Sequence, residues 1–149
     1  MSLITDITSI ITQLLPDATL VLSSKFSANY TAYFTETTEL PLIVLDNELS
    51  KNSEIKKNNN VLKDTRILIS FLGLDSTDNT DTQSEAIRAA MEIHADRVAV
   101  NLYQLLPVRP IGNQKYKLTP MFHVFSSNMT GVALEMFVNY NEIVNFTLE

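Results

Sequence analysis

Two imidazoles, His94 and His123, are the only histidines in the chain and the first place to look for proton-transfer chemistry. His94 falls on the apolar stripe of a helical pattern, beside Asp96 and Arg97, and His123 stands between Phe122 and Val124 in a strand-like run. Each is explained more simply as a ring at the core edge, its polar end reaching a backbone acceptor, than as a general base. Two histidines are too few for a histidine metal cluster. The absence of cysteine excludes disulfides, thiol nucleophiles, thiolate zinc sites and iron–sulfur clusters. A serine nucleophile needs a base and an orienting acid within hydrogen-bond reach. The three glycines, Gly73, Gly112 and Gly131, lie too far apart for a Gly-x-Ser-x-Gly elbow or a phosphate-cradling loop.

The acids give one pattern worth testing. Asp75, Asp78 and Asp81 recur every three residues, with Glu85 beyond. A calcium loop starting at Asp75 would have Thr80 where the tight turn wants glycine and Ala86 where a bidentate acid is required. Starting at Asp78 puts Gln83 and Ala89 at those positions. The segment is better explained as a solvated connection whose acids lead into a helix, with Asp81 or Ser84 as the cap. No two acids are tied together locally as a glycosidase pair would be. Lys51, Lys56 and Lys57 form a modest basic patch without the aromatic interleaving of a single-strand binder. They suit a solvated tip or a contact with an acidic neighbouring subunit. Tyr30, Tyr33, Phe34, Tyr103 and Tyr116 are candidate anchors at a subunit contact, as is Phe146 in the tail. The expectation is no catalysis, no cofactor and no metal.

The elements that must position these side chains come from 149 residues, the size of one ordinary domain spanning 1–149. The formal charge of -6 disfavours binding to nucleic acid or anionic lipid. Only 19% of residues are charged, so much of the polar surface must be Asn, Thr, Ser and Gln. Such groups lose less hydration than ions when covered, which favours a component of an assembly. No run approaches the 18 apolar residues of a spanning helix. The start carries Asp6 rather than a basic patch, so the chain is expected to stay where it is translated.

Residues 2–15 line up Leu3, Ile7, Ile10, Ile11, Leu14 and Leu15 as a helix that Ser2 can cap and Pro16 stops. Residues 18–24 form a short strand, the aromatic segment 26–34 fits strand or helix, and 42–45 form a strand. A polar excursion at 47–64 precedes a strand over 65–72, and a second at 75–83 reads as a mobile connection. Ile87, Met91, His94, Val98, Leu102 and Leu105 then mark a helix over 84–105, with Ala86, Ala89, Ala90, Ala95 and Ala99 allowing close approach. Residues 107–120 carry turn signals, followed by strands over 121–125 and 131–140. The tail from Ile143 to Leu148 adds an edge strand or docks on a partner. The sum is an α+β fold: a mixed or mostly antiparallel sheet covered by the long helix and the N-terminal helix.

This outline resembles small phage neck and tail-completion proteins, including tail terminators. The likeness rests on the N-terminal helix at 2–15, the sheet interrupted at 47–64, the helix at 84–105 and the strand pair enclosing Ser127-Asn128-Met129-Thr130-Gly131-Val132-Ala133-Leu134-Glu135-Met136. It is architectural and covers most of the chain in outline. The Asn-rich excursion and the segment at 26–34 depart from the most compact members. The resemblance implies a virion protein, assembled in the host cytoplasm, that forms a homo-oligomeric ring of sixfold or twelvefold symmetry. It also implies portal, connector or tail proteins as neighbours, a passive DNA channel without sequence-specific contact, and no membrane. A soluble adaptor that binds by its sheet edge or polar excursions is the alternative, and a small hydrolase using His94 or His123 is a third reading.

Overall fold

The computed structural model describes residues 3–23, 41–46, 50–57, 59–75, 78–106, 109–110, 116–123 and 129–143. In chain order these form α1 (Leu3–Leu14), β1 (Thr19–Ser23), β2 (Leu42–Asp46), β3 (Ser50–Ile55), β4 (Asn60–Leu74), α2 (Asp81–Leu105), β5 (Arg109–Pro110), β6 (Tyr116–His123) and β7 (Met129–Ile143). The fold is α+β, with a mixed sheet in which, among the described strands, β1 and β2 run parallel and the other pairs antiparallel.

The spine of the sheet is one antiparallel ladder between β4 and β7, unbroken from Asn60 opposite Ile143 to Leu74 opposite Met129. On its open side β4 carries β3 along Val61–Arg66 and β2 along Ile69–Leu72. β7 in turn carries β6 along Gly131–Met136 and the short β5 at Val138 and Asn139. Two regions result. In the body, β1, β2, β4, β7 and β6 lie side by side; in the arm, among the described residues, β3 pairs with β4 alone while β4 continues against β7.

Side chains alternate across a strand, so each residue parity supplies one face. Ile67, Ile69 and Phe71 of β4 join Val132, Leu134, Met136 and Val138 of β7 on the helix side. Against them pack Ile7, Ile10 and Ile11 of α1 and Met91, Ala95, Val98, Ala99 and Leu102 of α2. The opposite face holds a smaller cluster of Leu42, Val44, Leu72 and Met129. Burying a side chain of this size contributes about 1.5–3 kcal/mol, so the helix-side cluster dominates the stability of the fold.

Two glycines let backbones come close. A Cβ on Gly131 would stand 1.8 Å from the Phe71 carbonyl oxygen, and one on Gly73 would stand 2.9 Å from Ile87 Cγ2. The first contact is backbone and cannot yield; the second is side chain and marks where α2 seats on β4.

Several expectations need correction. Of the two expectations for 47–64, an exposed loop or a hairpin tip, the described part takes the second, a β-hairpin, and the strand expected from 65 begins earlier, at Asn60. Helix α2 starts at Asp81, inside the second excursion, and Asp75 at its beginning is buried rather than solvated. The buried stripe of α2 is Ser84, Met91, Ala95, Val98, Ala99 and Leu102; Leu105 is exposed, and Ala86 and Ala90 face solvent. Residues 116–120, taken for part of a turn, open β6. Pro120, which has no N–H to donate, is tolerated there because among the described residues β6 pairs with β7 alone and its other side is an edge. The segments 26–34 and 144–148 lie outside the described residues, as does Ser2.

Candidate functional site

Three places collect polar or unpartnered groups: the start of α2, the middle of α2, and the tip of the arm. At the first, Thr80 is the N-cap: its hydroxyl accepts from the Gln83 N–H at 3.2 Å while the Gln83 side chain accepts from the Thr80 N–H at 2.7 Å. This reciprocal box satisfies two amide donors that the helix itself cannot. Asp81 and Ser84 are therefore not the cap. Ser84 instead donates to Asp75 Oδ2 at 2.7 Å, where Thr130 Oγ1 also donates at 2.6 Å, and Asn79 donates to Asp75 Oδ1 at 2.6 Å. The carboxylate ties the end of β4, the entrance of α2 and the start of β7 into one knot. Three donors compensate for the hydration its burial removes.

Beside this knot lies a cleft of about 390 Å³ lined by Asp81, Ser84, Glu85 and Phe122. Its described lining has a hydroxyl and two acids and, among the described side chains, no imidazole. Ser84 is engaged with a carboxylate, which is too weak a base to activate a serine near neutrality. His94 lies ten residues further along α2, about 15 Å away at 1.5 Å per residue. Burial, and then the neighbouring Arg97 cation, hold its pKa below the usual value near 6.5, so the ring is neutral at physiological pH. His123 occupies the last position of β6. No group of three or more potential metal ligands occurs among the described residues.

The middle of α2 carries charge along one flank and apolar side chains beside it. Arg88 bridges Glu85 at 2.6 Å and Glu92 at 3.5 Å, which holds the Glu85 carboxyl below its ordinary pKa and raises that of the guanidinium. One turn on, Tyr116 of β6 donates to Asp96 Oδ1 at 2.7 Å. That hydrogen bond first, then burial and the charges of Asp96 and Glu92, push the phenol pKa up to about 12. Tyr116 thus fastens β6 to α2 while remaining 38% exposed. Ile93 and Val100 point outward next to this flank, 68% and 48% exposed.

At the arm tip, the chain reverses between Ile55 and Val61, which face each other across the hairpin. Lys56 donates its N–H to the Asn60 carbonyl at 2.8 Å, and Asn59 adopts a left-handed conformation at φ 60°. Asparagine tolerates that region better than most residues, which accounts for the middle of the Asn run. Lys56 pairs with Glu54 at 2.8 Å, Lys57 is exposed, and Ile55 is 87% exposed. Lys51 sits in β3 opposite Thr65. Of the other candidate contact residues, Tyr30, Tyr33, Phe34 and Phe146 lie outside the described residues. The Asp75 knot was missed because Thr130 is distant in sequence. The capping box, by contrast, stood in the spacing of Thr80 and Gln83.

These features define a class, an α+β sheet protein with both helices on one face and a hairpin arm, and no catalytic constellation among the described residues. The chain matches no protein-family model and no curated protein.

Proposed function

We propose that this chain is a structural virion protein of a tailed phage. In this reading it forms a homo-oligomeric ring at the head–tail connector, the neck or the tail end, joining or completing the tail and keeping the DNA channel continuous. The observation that carries the reading is the exposure of large apolar side chains on two separate parts of the molecule. Ile55 stands at the arm tip, and Ile93 and Val100 stand on the outside of α2. Scattered exposed apolar residues are ordinary. Leu22, Leu74, Leu105, Phe122 and Phe137 are exposed as well; Ile55, the most exposed, and the Ile93–Val100 pair stand on two unlike faces, as a cyclic ring needs on every subunit. The low charge fraction supports the same reading, and a net charge of -6 suits a channel wall that must let DNA pass without gripping it.

Light scattering of the purified chain across concentrations tests the proposal, followed by particle images of the assembled complex. A discrete cyclic oligomer of sixfold or twelvefold symmetry is expected. A chain that stays monomeric both alone and in its natural complex overturns it. One feature favours a second reading, a protein-binding adaptor: β3 pairs with β4 alone, which leaves an edge open to a partner strand among the described residues. Cyclic assembly without an added partner separates the two.

A further inference from the structure

We infer that the arm tip of one copy, Ile55 with Lys56 and Lys57, docks on the outer stripe of α2 in a second copy, where Ile93 and Val100 are edged by Glu92 and Asp96. The inference rests on the ring reading and says which two surfaces meet.

The first argument is shape and hydrophobicity. Ile55 is the most exposed large apolar side chain among the described residues, at the end of a hairpin. On α2, Asp96 is three residues after Ile93 and four before Val100, so all three share one patch of the helix surface. Ala89 and the exposed Ala86 and Ala90 continue the surface toward the helix start with small side chains, leaving room for an incoming residue. Asp96 and Arg97 fill the surface between Ile93 and Val100, so an incoming isoleucine would seat against Ile93 on its Ala86 and Ala89 side and remove two large apolar side chains from water.

The second argument is charge. Residues 50–64 carry four lysines, Lys51, Lys56, Lys57 and Lys63, against two acids, Glu54 and Asp64. Helix α2 carries the reverse, Asp81, Glu85, Glu92 and Asp96 against Arg88 and Arg97. Arg88 and its partners Glu85 and Glu92 offset one another, Asp96 accepts from Tyr116, and Arg97 borders Ile93 and Val100 on the side away from Glu92, so the opposition is one of net charge between the whole helix and the arm. Lys57 has no ion-pair partner among the described residues. Opposite fields on the two surfaces favour this pairing and oppose arm-to-arm and helix-to-helix contact. Because the surfaces differ, the contact is head-to-tail and propagates until a ring closes.

The test uses the whole chain with Ile55→Asp, with Ile93→Asp, and as an equimolar mixture of the two, followed by sedimentation velocity and light scattering. Both side chains are largely in solvent, so the fold is kept, with circular dichroism and melting as the check. Each variant alone is expected to weaken self-association at least about tenfold. The mixture is expected to form one-to-one dimers and nothing larger, since the Ile93→Asp copy keeps a working arm and the Ile55→Asp copy a working helix face. Lys57→Glu is a gentler second variant, expected to weaken assembly and reverse its salt dependence. If the wild-type chain assembles and both aspartate variants assemble equally well, the docking is overturned while the ring reading stands. A mixture that remains monomeric or regains full-size rings overturns the docking too. A wild-type chain that is monomeric throughout overturns it as well, and its absence from rings in particle images then removes the ring reading with it.

Discussion

The body and the arm share a single β4–β7 ladder, yet they are held by different forces. Along Ile67–Leu72 nearly every side chain is buried on both faces, under α1 and α2 on one side and in the Leu42, Val44, Leu72 and Met129 cluster on the other. Along Asn60–Asp64 the same strand is only half-buried, and its hairpin partner β3 is exposed from Asn52 to Ile55. The hydrogen bonds continue unchanged in register while the hydrophobic term falls away. The body therefore sets the stability and the arm is carried by it. Substitutions of similar chemistry should cost much in one half and little in the other.

The largest effect is expected at Gly131. Gly131→Ala places a methyl group 1.8 Å from the Phe71 carbonyl oxygen, inside the ladder. The loss should exceed about 4 kcal/mol, seen as a chain that fails to give a cooperative melt. Next comes the knot at the edge of the body. Asp75→Ala strands the donors of Asn79, Ser84 and Thr130, and urea titration should show about 2–4 kcal/mol lost. A loss below about 0.5 kcal/mol would mean that water replaces the carboxylate and that the corner is not closed.

Where arm meets body, the sign should reverse. Thr65 is fully buried and its Oγ1 has no hydrogen-bond partner among the described residues. Thr65→Val keeps the shape and removes an unsatisfied hydroxyl, so the urea midpoint should rise, by up to about 1 kcal/mol in stability. A fall would show that the hydroxyl is solvated in solution. The smallest effect belongs to the arm itself. Asn59→Gly at φ 60° should change stability by less than about 0.5 kcal/mol and leave the melting temperature almost unmoved.

The same division explains what could be foreseen from residue order. The alternation of Val132, Leu134, Met136 and Val138 against Glu135 and Phe137 announces a strand with one covered face, and the structure has it so. The long helix was legible from its period and from Pro107. Its buried face was harder to choose, because Ile93 and Val100 put apolar residues on the solvent side as well. Residues 60–64 hid their strand because half-exposed Lys63 and Asp64 carry no apolar alternation; only pairing with β3 and β7 reveals it. Residues 116–120 were obscured by Pro120, an edge-strand proline that mimics a turn signal. The Asp75 knot depends on Thr130, 55 residues away, and no local spacing could announce it. The paired surfaces of arm and helix share that difficulty, since exposure of Ile55 and Ile93 is a property of the folded chain.

The β4–β7 ladder also bears on how the protein is made. Its partners are separated by 55 residues at Leu74 and Met129 and by 83 at Asn60 and Ile143. At roughly 5–20 residues per second on a ribosome, β4 waits on the order of 3–17 s for the strand that completes it. During that interval the buried stretch Ile67–Leu72 of β4 has an open flank, and crowded nascent copies can pair through it. Less frequent initiation on this message should lower the density of such encounters and raise the yield of soluble chains, whereas slower elongation lengthens the open interval.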